Sequence, residues 1–133
     1  MKIGKEDQKL LALWAADCAE RVLPYFEKEY PKDERPRKAI EACREWVRTG
    51  VFKMADIRKT ALAAHAAARD SQVPAATFAA RSAGQAASVP HVAGHAIAAG
   101  TYAVKAAEAA DITGEREWQY KHLAKHLHSI LEK

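Results

Sequence analysis

The chain has 133 residues, 49% of them hydrophobic and 29% charged, with a formal net charge of +4. That is the length of one domain, able to bury about two-thirds of the surface its unfolded chain exposes, and no apolar stretch approaches the roughly 18 residues of a membrane span. Residues 1–50 carry eleven basic and ten acidic side chains and residues 111–133 four of each, so the positive excess lies between them. It is too dispersed for a duplex-binding stripe, which places nucleic acid last among partners.

The start, Met-Lys-Ile-Gly-Lys-Glu-Asp, lacks the apolar core and cleavage site of a signal peptide. Cys18 and Cys43 sit among apolar neighbours without metal or redox spacing. Both features predict a cytoplasmic protein with reduced core cysteines.

In chain order, the first helix is predicted from about Glu6 to Leu23, with Leu11, Ala15, Cys18 and Val22 on one stripe, Trp14 at its flank and a break or kink at Pro24. Tyr30-Pro31-Lys32-Asp33 reads as a loop. A second helix opens near Pro36, a first-turn position that proline tolerates. It buries Ala39, Cys43, Trp46 and Val47 and ends at Gly50, which suits a left-handed cap. The third spans about Met54 to Asp70. The fourth begins at Pro74 after the Ser71-Gln72-Val73 break and ends near Ala87. The fifth is predicted from Pro90 to about Ala110. After Thr113-Gly114 a sixth presents Leu123, Leu127, Ile130 and Leu131 on one face. Short connections force antiparallel neighbours, so the fold class is all-α, a single-domain bundle of about six helices.

Val51 to Ala110 is crowded with alanine and carries only nine charged side chains. Helices so poor in outer charge must be largely enclosed, by the rest of the chain or by a second copy of it. Alanine lets backbones approach closely but offers little area for burial, so stability must come from Trp14, Phe26, Trp46, Phe52 and Trp118 at the ends. The alanine-rich face also predicts a homo-oligomer.

On a wheel of 100° per residue the enclosed helices each carry one polar ridge. Arg58, His65 and Arg69 share a face of the third helix, with Gln72 adjoining. Thr77, Arg81, Gln85 and Ser88 share one on the fourth, and His91, His95, Tyr102 and Lys105 one on the fifth. The predicted arrangement brings Arg58, His65, Arg69, Arg81 and Gln85 to His91 and His95 in one polar cluster, suited to a carboxylate or phosphate. The plainer alternative, that a ridge simply faces solvent, fits Lys105 and Gln72 best.

His91 and His95 stand four apart, as do His122 and His126, a spacing that presents two ring nitrogens to one zinc. Acids are scarce nearby, so His91 and His95 are only weak metal candidates and read first as packing residues at a helix start; no cofactor is called for. A solvated face explains His122, His126 and His128. Asp17 stands four residues before Arg21, a common helical pair, and is equally placed to meet an arginine from elsewhere. Arg35, Arg37 and Lys38 crowd a helix start where the dipole disfavours cations. They are either tolerated at an exposed end or dock an acidic partner. Phosphate loops, dinucleotide fingerprints and nucleophile elbows are missing from the sequence. Asp56, Asp70 and Glu108 are the only acids from Val51 to Ala110, so nothing asks for general acid–base catalysis.

Several segments resemble a known family: Leu11-Ala12-Leu13-Trp14-Ala15-Ala16-Asp17-Cys18-Ala19-Glu20, Arg35-Pro36-Arg37-Lys38-Ala39-Ile40-Glu41-Ala42, Ala64-His65-Ala66-Ala67-Ala68-Arg69, Ala79-Ala80-Arg81-Ser82-Ala83-Gly84-Gln85-Ala86 and His91-Val92-Ala93-Gly94-His95-Ala96. Together they resemble the immunity-5-like group of small, all-helical immunity proteins of bacteria and archaea, over about Leu11 to Ala107. The resemblance implies a cytosolic protein that binds and neutralises a cognate polymorphic toxin. It also points to Asp17, Arg35, Pro36, Arg37, His65, Arg69, Arg81, His91 and His95 as motif positions. The sequence therefore predicts an interaction protein with a protein partner. The alternative is a helical domain holding a small molecule, anion or metal at the His/Arg cluster, sensory or weakly catalytic.

Overall fold

The computed structural model describes residues 3–132, which are helical with no strand. Helix α1 spans Lys5–Glu27, α2 Arg35–Thr49, α3 Met54–Asp70, α4 Pro74–Ser88, α5 His95–Ala109 and α6 Glu115–His122, followed by a 3-10 segment at Lys125–Glu132. No helix among the described residues is long and apolar enough to cross a membrane.

Helix α4 is the axis of the bundle, packed against α1, α2, α3 and α5. Its alanines at 75, 76, 79, 80, 83, 86 and 87 are buried, together with Ser82 and Gly84. The chain thus supplies the enclosure of α4 itself. Ser82 Oγ donates to the Ala99 carbonyl at 2.7 Å, satisfying a buried hydroxyl and stitching α4 to α5. Trp14, Phe26 and Trp46 are buried as the sequence predicts, but Phe52 is 46% exposed. Cys18 and Cys43 are free and buried, and Cys43 Sγ donates to the Ala12 carbonyl at 3.3 Å. Burial pushes both thiols up, Cys43 to about 12, so both stay protonated.

Three predicted boundaries move, each for an identifiable reason. Helix α1 continues through Pro24 to Glu27. Proline there forfeits one backbone bond, but Leu23 and Phe26 on either side are buried and Tyr30 packs on the Phe26 ring at 5.2 Å. Pro90 does not open α5: residues 90–94 form turns, and the helix starts at His95. Gln8 Nε2 on α1 donates to the carbonyls of Val89 and Pro90 at 2.9 and 3.1 Å, taking acceptors a helix there would use. The last predicted helix breaks at Leu123, which is extended (φ −96°, ψ 136°). The Gln119 carbonyl, its helical acceptor, instead receives the Trp14 indole N–H at 2.8 Å. Leu123 and Leu127 are still buried, and Ile130 and Leu131 pack on the core. Where the sequence expects a cap it is present: Gly50 adopts φ 71° and donates to the Trp46 carbonyl at 2.7 Å.

Candidate functional site

The polar ridge of α4 is the only strip of that helix not fully buried. Arg81 and Gln85, one turn apart, project from it toward His65 on α3 and His95 at the start of α5. Arg81 Nη1 lies 3.0 Å from His65 Nδ1. A guanidinium can only donate, so Nδ1 accepts and the proton of the neutral ring resides on Nε2. His95 Nδ1 lies 2.7 Å from Gln85 Oε1, where the ring donates to the amide oxygen. All four side chains are half-buried.

Gly84 makes room for this arrangement. A Cβ built on it would stand 2.7 Å from His65 Nε2 and 2.8 Å from Cε1, so the imidazole rests directly on the α4 backbone. Burial, then the charges of Arg81 and Arg69 and that of a protonated His95, hold His65 below its ordinary value of 6.5. Burial, then His91, does the same for His95. Both rings are therefore neutral near pH 7.

Of the predicted cluster the structure brings together two pairs, His65 with Arg81 and Gln85 with His95, and sets the other members apart. Arg69 is exposed one turn beyond His65 and reaches the cluster through its charge. His91 lies in the turn before α5, not on it. It is exposed, with its ring stacked 6.4 Å from Phe52. His91 and His95 therefore do not share a helical face, and among the described residues no three His, Cys, Asp or Glu side chains come together to hold a metal. Arg58 is exposed near the other end of α3, lining a hollow with Met54, Ala55, Lys59 and Leu62. Tyr102, about two helical turns past His95, stacks instead on Phe78 at 6.3 Å, with Lys105 Nζ 5.6 Å from its ring.

Asp17, Arg35 and Arg37 belong to a different construction. Arg37 forms a two-pronged pair with Glu27 (2.7 and 2.8 Å) and approaches Glu20 at 3.5 Å. Arg44, not Arg21, takes Asp17 at 3.0 Å, and it takes Glu20 at 2.8 Å. Arg35 is gripped by both oxygens of Asp33 and reaches Asp70 at 3.0 Å, tying the start of α2 to the end of α3. The crowding of cations at this helix start is therefore answered inside the chain.

Residues 1–126 match the family described as Imm-5 like putative immunity protein. The chain belongs to that family. No curated protein and no solved structure matches it. In this family member the segments that carry the likeness divide in two: Asp17 and Arg37 lock α1 to α2 and Arg35 ties α2 to α3, while His65, Arg81 and His95 lie beside α4.

Sequence reasoning missed a buried tie at the far end of this immunity-family fold. Gln119, fully buried, donates to the Gly100 carbonyl at 2.8 Å and accepts the Trp14 indole on its own carbonyl. Glu115, also buried, takes Arg21 through two bonds of 2.8 and 3.0 Å. The sequence marks neither, because both sit in a short, strongly polar helix. Also missed was the corner between α2 and α3, where Val51, Phe52, Met54 and Leu62 are exposed along with Val92. The run Val51-Phe52-Lys53-Met54 directly after the Gly50 cap was the available signal.

Proposed function

We propose that this immunity-family protein binds and neutralises a cognate toxin through the α2–α3 corner and the outer face of α3. The observation that carries the reading is a concentration of exposed apolar side chains there. Val51 is 58% exposed, Leu62 57%, and Phe52 lies over His91 beside exposed Val92. Met54 and Leu62 frame a hollow whose other walls include Arg58 and Lys59. Apolar anchors flanked by arginine are what the energetic centre of a protein interface uses. Among the described residues neither cation pairs with a carboxylate, so the complementary surface carries acidic groups around an apolar patch.

The test is growth rescue. The chain is co-expressed with each product of the genes that flank its own in the host genome, together with Phe52→Asp, Leu62→Asp and Arg58→Glu forms. All three positions are exposed, and circular dichroism of each variant checks that it keeps the fold. Rescue by the parent chain and its loss in the Phe52 and Leu62 variants is the expected outcome, each truncated anchor being worth about 2 kcal/mol of binding. Rescue that survives all three substitutions rules out this face. An absence of rescue and of complex formation with the parent chain rules out the immunity reading.

A further inference from the structure

We infer that the junction of α3, α4 and α5 is a binding site for a small oxyanion, a carboxylate or phosphate group, held by the guanidiniums of Arg81 and Arg69 and the ring of His95, with His65 positioning Arg81. The first ground is the company these cations keep. Every arginine of α1 and α2 ends on a carboxylate, whereas Arg81, half-buried on the central helix, has only an imidazole nitrogen. The acids of the alanine-rich stretch are Asp56, Asp70 and Glu108, and Asp70 is already held by Arg35. A half-buried guanidinium whose one partner is an imidazole nitrogen, with a second arginine charge acting on that same imidazole, is unfavourable until a negative group joins it.

The second ground is unused donor capacity. Arg81 has five N–H groups and spends one on His65 Nδ1. Gln85 fixes the His95 ring through Nδ1, leaving Nε2 to take up a proton and donate. Gly84 fixes the plane of His65. A solvated ridge would need none of this mutual positioning. The groups facing His65 are Arg69 on its own helix, Arg81 on α4 and His95 on α5; His95 faces His91, Gln85 and His65. No carboxylate is among them, so an oxyanion reverses the local field and its binding draws a proton onto His95 Nε2. Affinity therefore strengthens as pH falls toward 6.

The inference does not depend on the immunity reading. Its test is NMR of the histidine ring protons of the full chain, titrated with sodium phosphate and separately with sodium acetate, against sodium chloride at equal ionic strength. The expected result is a saturable change in which the His95 titration midpoint rises by about one pH unit. Arg81→Gln abolishes it, and Arg69→Gln, at an exposed position, weakens it several-fold. A response to phosphate alone assigns a phosphorylated ligand, and a response to acetate assigns a carboxylate, whether of a free acid or of a protein side chain. Rings that follow the chloride control in both titrations, or an Arg81→Gln protein that responds like its parent, overturn the inference. Should Arg81→Gln fail to fold, Arg81→Lys and Arg69→Gln carry the same reading: undiminished response in both refutes it.

Discussion

The arginines of the α1–α2 side and those of the α3–α4 side stand in opposite circumstances. Arg21, Arg35, Arg37, Arg44 and Arg48 each meet at least one carboxylate, and Arg21, Arg35 and Arg37 do so with both prongs of the guanidinium. Arg58, Arg69 and Arg81 meet none among the described residues. On the first side, positive charge is consumed within the chain, mostly in joining one element to another. On the second, alanine packing does the joining, and the charge is left over for something outside the chain. Arginine in a shared motif is thus not one kind of residue: Arg37 is a fastening, and Arg81 is an open valence.

The largest consequence falls on Arg21. Arg21→Gln strands Glu115, 6% exposed, without its cation, and also removes the guanidinium lying 4.1 Å over the Trp118 ring. Because Arg21 itself is 40% exposed, the loss is about 2 kcal/mol, below that of a fully buried pair. Urea denaturation measures it, and a loss under about 0.5 kcal/mol would mean that Glu115 finds another partner or water. Arg37→Gln comes next. Its carboxylates are about one-third exposed, so the loss is about 1 kcal/mol and shrinks as salt is added. Equal losses at Arg37 and at Arg81 would erase the distinction between the two sides.

Much of this was legible beforehand, because local physics decides it. The ends of α3 follow from Met54 and Asp70 flanking a continuous alanine period, Gly50 was marked as a cap by its position, and the ridges of His65, Arg81, Gln85 and His95 follow from helical spacing alone. What was not legible depends on distant donors. Gln8 and Trp14, both on α1, reach 81 and 105 residues along the chain to claim carbonyls that α5 and α6 would otherwise use. Helical periodicity carries no trace of such claims. The pairing of the arginines was equally hidden: Asp17 has Arg21 at the right spacing, yet Arg44, across the α1–α2 interface, takes it. Choosing between these partners requires knowing how the two helices are rotated against each other.

The two sides also part company with pH. His65 and His95 are held below 6.5 in the folded chain, so the unfolded chain binds more protons and stability falls as pH drops from about 6.5 through the folded values. Glu27 and Asp33 are held below 4.5 and 3.8 by Arg37 and Arg35 respectively. Their contribution is whole above about pH 4.5 and disappears only below it. Denaturation midpoints followed from pH 8 to pH 3 should therefore decline in two steps. His65→Gln removes most of the upper step and Arg37→Gln part of the lower. A single decline confined to the carboxylate range would show that the histidines titrate alike in folded and unfolded chains.

The smallest expected change in stability, and the sharpest in diagnosis, is at Arg81. Arg81→Gln forfeits the bond to His65 Nδ1, but that ring is half-buried and water can replace the donor, while a cation leaves a cluster that has no anion. The two effects oppose each other, leaving a net change within about 0.5 kcal/mol. The histidines report what stability conceals. Arg81 is among the charges that depress His65 and is not among those that depress His95, which answers to its burial and to His91. Ring-proton titration of the variant should show His65 rising toward 6.5 with His95 in place. If the two rise together, Gln85 and His95 lean on Arg81 as well, and the junction behaves as one unit instead of two bonded pairs sharing a helix.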